Sequence, residues 1–151
     1  MAGGDAVNAV LCAIEAPVRA PISERFREPP CQWCAGKRGI EFATDLGSTV
    51  GAGVSGTIWF AGLVGGVNYV VVRATSGMLV THGRLRQAYV QTGDTVTLGE
   101  PIGQASERLY FGVRIDGRYI DPLRCMAGGT SVTRRAILVP APSAKSASGT
   151  S

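Results

Sequence analysis

"GKRGIEFATDLGSTVGAGVSGTIWFAG", residues 36–62, decides how the rest of the chain is read. Two short runs rich in β-branched and aromatic residues, "GIEFAT" and "GTIWFAGLV" (56–64, running just past this stretch), are each opened by glycine and separated by a segment of small and turn-forming residues. Such runs fit the pleated surface of a strand, whereas Gly, Asp and Ser accept the conformations of tight turns. The pattern repeats downstream. "NYVVVRAT" (68–75) and "GMLVTHG" (77–83) are further strand candidates, followed by "VQTGDTVTLGEPIGQA" (90–105) and "RLYFGVRIDGRYIDPL" (108–123). Within the last, "IDGRY" predicts a tight hairpin turn with Gly117 at a position that needs positive φ. Upstream, "VLCAIEAPV" (10–18) predicts an opening strand, and residues 17–36 read as a Pro-punctuated extended loop.

The 151 residues suffice for one domain with a real core, and 21 Gly with 8 Pro between short strand candidates favour an all-β chain in which helix is scarce. We assign a flexible N-terminus to residues 1–9, the β domain to 10–127 and a small, polar, Pro-containing tail to 128–151. The last dozen residues of that tail are expected to be disordered, and "RRAILVP" (134–140) to dock as an edge strand or cover a groove.

A net charge of +4 and a pI near 9.1 suggest affinity for anions, but without the Lys clusters of a nucleic-acid binder. An anionic cell-envelope polymer suits this charge equally well. No run approaches the roughly 20 apolar residues of a membrane span. The N-terminal "MAGGDAVNAVLCAIEA" lacks the basic start and long apolar core of a signal peptide.

Four cysteines, Cys12, Cys31, Cys34 and Cys125, permit disulfides and equally permit thiols. "CQWC" (31–34) lacks the second Cys pair of a zinc site and the neighbouring helix pattern of a redox motif. A local or long-range structural bridge, or plain thiols, is the expectation there, and a bridge from Cys12 to Cys125 stapling the ends of the domain is a further one.

From about Pro17 to Arg124 the order of segments resembles the lysostaphin-type zinc endopeptidases that cut peptidoglycan peptides, particularly their short actinobacterial forms. "SERFREPP" (23–30) is similar to the Phe-containing loop before the first metal motif of that family. "KRGIEFA" (37–43) stands where the family has His-x-Gly-Ile-Asp-x-Ala, and "THGRL" (81–85) where it has Tyr-x-His-Leu. "VQTGDTVTLGEPIG" (90–103) matches its Val-x-x-Gly-Asp-x-Val-x-x-Gly-x-x-Ile-Gly signature, and "RLYFGVRIDGRYIDPL" its His-Leu-His-Phe segment. The resemblance implies an antiparallel two-sheet sandwich or half-barrel of the duplicated hybrid-motif kind.

It also implies that the metal ligands have been replaced. The family's three zinc-ligand positions fall on Lys37, Glu41 and Tyr110, and its two catalytic histidines on Arg84 and Arg108. A catalytic zinc needs about three N, O or S ligands and an open position for water. Lysine is a cation and tyrosine is protonated at neutral pH, so of the inherited set only Glu41 could bind zinc. The expectation is therefore a catalytically inactive relative without a metal cofactor, in which Lys37, Arg84 and Arg108 place fixed positive charge around Glu41 in the metal's stead.

Such a groove, with Trp33 on its rim, suits carboxylates, which Arg forks grip bidentately. The expected partners are peptidoglycan or a cell-wall hydrolase, in the envelope or outside the cell, with no nucleic acid and no membrane span. The alternative is a divergent zinc endopeptidase whose site is rebuilt from Cys31, Cys34, His82 and Glu41. His82 lies two residues before Arg84, and positions i and i+2 of a regular strand share a face, which would point it into the groove. Biotinyl and lipoyl carriers share the Val-x-x-Gly-Asp pattern, but this chain has no Lys beside Met at a hairpin tip.

Overall fold

A computed structural model describes residues 12–31 and 35–126. Trp33, Cys34, "RRAILVP" and the segments 1–9 and 128–151 lie outside the described residues. The nine strands all belong to the unit Glu15–Pro122. They are β1 (Ile22–Glu24), β2 (Ile40–Ala43), β3 (Thr49–Gly51), β4 (Gly56–Val64), β5 (Val67–Arg73), β6 (Leu79–Ala88), β7 (Thr95–Val96), β8 (Pro101–Ile115) and β9 (Arg118–Ile120). A single turn of 3-10 helix, Pro122–Arg124, is the only helical element among the described residues. The all-β antiparallel expectation is met: every strand pair is antiparallel and all nine join in one sheet, in the order β1-β2-β8-β6-β5-β4-β7 with β3 and β9 also on β8.

The 15-residue β8 organises this sheet. On one edge its first part pairs with β3, its middle with β2 and its end with β9 through the two-residue turn Asp116–Gly117, while β6 pairs along the other edge from Gly103 to Arg114. Both turn residues have positive φ, 51° and 77°, so the hairpin has the twist-matched form anticipated from "IDGRY".

Alternation along β8 separates two faces. Leu109, Phe111 and Val113 are fully buried, and with Ile40, Phe42, Val70, Val72 and Val80 they form the core. Arg108, Tyr110, Gly112 and Arg114 project from the other face.

The register also assigns residues on neighbouring strands to the two faces. Glu24, Glu41, Tyr110, Gly83 and Tyr69 stand opposite one another across β1, β2, β8, β6 and β5. The adjacent row, Ile40, Phe111, His82 and Val70, belongs to the core side. Directly opposed residues share a face, so this register alone places His82 away from Glu41 and Tyr110.

In the second compact unit, which holds Cys12–Ile14 of "VLCAIEAPV" among the described residues, the segment makes one bridge, Ile14 to Met126, and the Ile14 N–H donates to the Cys125 carbonyl at 3.0 Å. The expected Cys12–Cys125 disulfide is not formed. The chain sets Ile14, rather than Cys12, against residues 125 and 126.

Candidate functional site

Glu41 is the centre of the candidate site. It lies in mid-β2 opposite Tyr110, and its side chain is 1% exposed. A buried carboxylate is tolerated only where cations and hydrogen bonds replace its lost hydration. Three cations do so here. The Lys37 Nζ donates to Oε2 at 2.6 Å, the Arg108 Nη1 donates to Oε1 at 3.3 Å, and the Arg84 Nε stands 3.6 Å from Oε2. Lys37 also pairs with Glu24 of β1 at 2.9 Å, and backbone bonds in both directions between Lys37 and Arg27 fix its position.

The ionisation of this cluster follows from its geometry. Burial by itself would raise the Glu41 pKa, but hydrogen bonds from Lys37 and Arg108 and the nearby charges of Lys37 and Arg84 hold it below the ordinary carboxylate value. Burial would likewise depress the Lys37 ammonium, yet its hydrogen bonds to Glu41 and Glu24 leave it above the usual lysine value. Both groups are therefore charged at neutral pH.

Tyr110, where the resemblance would put the family's second histidine, stands opposite Glu41 in the same row. Burial is the main cause that pushes its phenol up to about 12, so it is neutral under ordinary conditions. Its ring has room because two neighbours carry no side chain: a Cβ on Gly39 would stand 2.7 Å from it and one on Gly83 3.2 Å from it.

Arg84 and Arg108 differ from Lys37 in exposure, at 47% and 60% against 22%. Their backbones are tied together by the Ser106 hydroxyl, which lies 2.8 Å from the Arg84 carbonyl and 3.0 Å from that of Arg108. Arg84 sits in a bulge with φ of 62°, where the β6–β8 register shifts between Gly83 and Leu85. The bulge turns its side chain onto the groove face. Together with Leu46, Ser106 and Glu107 the two arginines line a recess of about 270 Å³.

The same bulge corrects the expectation for His82. The i, i+2 rule fails across an inserted residue, so His82 and Arg84 occupy opposite faces. His82 is 0% exposed, packs edge-on against Phe111 at 5.4 Å, accepts from the Gly53 N–H through Nε2 at 3.1 Å and reaches the Val70 carbonyl through Nδ1 at 3.0 Å. Those partners fix the neutral tautomer with the proton on Nδ1, and burial lowers its pKa to about 4. His82 is a core residue.

The rebuilt metal set is thus not assembled. His82 has both nitrogens occupied on the core side, and Cys31 is in a disulfide and lines a separate recess with Arg38 and Tyr119. Among the described residues no group of three or more His, Cys, Asp or Glu side chains is arranged to hold a metal ion. Lys37, Glu41 and Tyr110, the positions to which the resemblance assigns the ligands, do not fit zinc either. An ammonium has no lone pair, a tyrosine with its pKa near 12 resists the deprotonation that ligation requires, and the Glu41 oxygens are already engaged by cations. Glu24, which the sequence reading did not single out, completes the described network through a strand pairing that only the fold creates.

Residues 35–122, more than half of the chain, match peptidase family M23. The chain belongs to that family. It is 30% identical over 95 residues to the "Lipoprotein NlpD/LppB homolog" of Pseudomonas aeruginosa, an alignment covering 58% of this chain and 32% of that protein. The chain thus spans about a third of the length of this curated relative. Among solved structures, Helicobacter pylori Csd3 superposes with a TM-score of 0.68 at 23% identity, over 76% of this chain and 35% of that one. The catalytic domain of lysostaphin from Staphylococcus simulans superposes with a TM-score of 0.60 at 21% identity, over 69% and 90%. This M23 domain therefore has the lysostaphin fold. No helix among the described residues is long and apolar enough to cross a membrane.

Proposed function

We propose that this chain is a non-catalytic M23 domain of the cell envelope that binds carboxylate groups of peptidoglycan peptides through Arg84 and Arg108. The observation that carries the reading is the fate of the ligand positions. An ion-paired Lys37–Glu41 couple occupies the place of two ligands, and a neutral Tyr110 that of the third. Lys37 alone makes the shortest contact with Glu41, so the two longer-range guanidiniums keep exposed surface and donor groups for an incoming anion.

Family membership supports peptidoglycan as the surface encountered, and the likeness to a lipoprotein supports an envelope location. A regulatory contact with a cell-wall hydrolase would use the same exposed face, and the two uses are separable by experiment.

Purified protein is sedimented with insoluble peptidoglycan at low and moderate salt, alongside Arg84→Ala/Arg108→Ala. Binding by the unaltered chain that falls at least fivefold in the double variant is expected, as is weakening by salt. Equal retention of both proteins would remove these arginines from the function. Absence of sedimentation, together with stimulation or inhibition of an added M23 hydrolase, would replace peptidoglycan binding by regulation.

A further inference from the structure

Toward the far edge of the sheet a tryptophan stands outside the core. The β4–β5 register shifts between Ile58 and Phe60, which makes Trp59 the extra residue of a bulge. Its neighbour Ile58 stays in the core at 1% exposure, whereas Trp59 is turned outward and is 55% exposed. Together with Thr57, Arg73, Thr75 and Thr92 it lines a recess of about 540 Å³, within the range of small-ligand sites.

The four polar side chains are exposed and reach the recess from separate segments. Thr57 and Arg73 stand opposite each other across β4 and β5, so they share a face. Thr92 enters from the loop before β7, where its Oγ1 accepts from the Ala61 N–H at 3.1 Å and keeps its own hydrogen to donate. Arg73 is the one charged residue among those lining the recess, and no carboxylate among the described residues is ion-paired with it. The nearby Asp94 has its carboxylate bonded to the Gln91 N–H at 2.8 Å.

This lining selects a ligand by its chemistry. A pyranose ring presents C–H bonds on its face and hydroxyls around its rim. The electropositive C–H groups pack against the negative face of an indole. The rim hydroxyls donate and accept as threonine hydroxyls do, and one guanidinium fork can donate to two neighbouring hydroxyls. A protein side chain anchored on Trp59 would instead call for a dry apolar surround, and the recess offers exposed hydroxyls. A cationic ligand would meet Arg73 and no carboxylate in the lining.

We infer that this recess is a carbohydrate site, in which Trp59 stacks on the face of a pyranose ring of an uncharged glycan while Thr57, Thr75, Thr92 and Arg73 take the hydroxyls of its rim. It shares no residue with the Arg84 and Arg108 surface. β4 lies four strand spacings from β2, about 19 Å along the sheet, so glycan binding here does not depend on carboxylate binding there.

The test is NMR titration of the full chain with two neutral probes, the β-1,4-linked tetramers of glucose and of N-acetylglucosamine. Neither carries a carboxylate for Arg84 and Arg108. At least one is expected to shift the Trp59 indole N–H and the Thr92 and Gly93 amides saturably. Read at those amides, Trp59→Ala should weaken binding by about fivefold or more, and Trp59→Phe, which keeps an aromatic face, by less. Arg73→Ala should weaken it about threefold. Both positions are exposed, and the same spectra report that the variants fold.

No saturable shift from either tetramer overturns the inference and leaves the carboxylate reading untouched. Binding undiminished in Trp59→Ala and Arg73→Ala places the sugar elsewhere and overturns the site. A capped Gly-Leu-Leu-Gly peptide that shifts the same resonances at lower concentration than either tetramer overturns the sugar in favour of a protein contact.

Discussion

Lowering the pH from 7 to 5 should destabilise this domain through His82 before its carboxylates titrate appreciably. In the folded chain the imidazole accepts from the Gly53 N–H through Nε2, so a proton on that nitrogen would set two N–H groups against each other in a fully buried site. Burial, which disfavours the charged imidazolium, lowers its pKa from 6.5 to about 4. Between these values the unfolded chain binds a proton that the folded chain refuses, and stability falls as the pH falls. The full separation corresponds to about 3 kcal/mol, at 1.36 kcal/mol per pKa unit. About 2 kcal/mol of it is lost by pH 5, where most carboxylates of an unfolded chain are still ionised. Urea unfolding at intervals from pH 7 to 5 measures the slope. His82 is the sole histidine, so a single imidazole resonance reports its titration in the folded protein. His82→Gln, whose amide can accept from Gly53 and donate to Val70, should flatten the slope. A resonance titrating near 6.5 in the native protein, or stability unchanged from pH 7 to 5, would refute this reasoning.

Other consequences concern the network itself. Lys37→Met removes the closest cation from a carboxylate that is 1% exposed, while Arg84 and Arg108 remain. The expected loss at pH 7 is about 2 kcal/mol, less than the roughly 3–5 kcal/mol of a fully orphaned buried charge. Because the lowered Glu41 pKa stabilises the parent above the unfolded value of 4.5, that difference should narrow as the pH drops toward 4, which parallel urea titrations would reveal. Gly83→Val would drive a side chain into the Tyr69 and Tyr110 rings and should cost about 1–3 kcal/mol by chemical denaturation, with altered near-UV circular dichroism from the displaced tyrosines. Lys37→His/Glu41→Asp/Tyr110→His supplies, at the same three positions, the donors that the resemblance expects. This triple variant should retain about one zinc through gel filtration, and if it retains none, the geometry has drifted along with the residues.

Much of the fold was legible because Gly and the β-branched runs punctuate it: "GTIWFAGLV" is β4 residue for residue, and "IDGRY" closes the β8–β9 hairpin as its Gly predicts. The candidate cluster was legible in composition but not in arrangement. Lys37, Glu41, Arg84 and Arg108 do converge, but Glu24 enters through a pairing between β1 and β2 that no local pattern announces. His82 was placed on the wrong face because alternation was carried through a bulge. The isolated Gly83 inside a strand pattern was the available signal for that bulge, since glycine there often marks one. The recess at Tyr119 was hidden for a different reason. Arg38, Arg114 and Tyr119 come together only when β2, β8 and β9 lie side by side, and cation–π stacking has no sequence spacing of its own.

The central claim is that fixed cations have taken the place of a metal around Glu41. Its most direct test is zinc content by elemental mass spectrometry on protein purified without chelator and then supplied with zinc, with peptidoglycan release assayed on the same sample. The account predicts far less than one zinc per chain, no release, and unchanged thermal stability with chelator. Stoichiometric zinc with chelator-sensitive release would contradict it and make this domain an active peptidase with ligands other than those described.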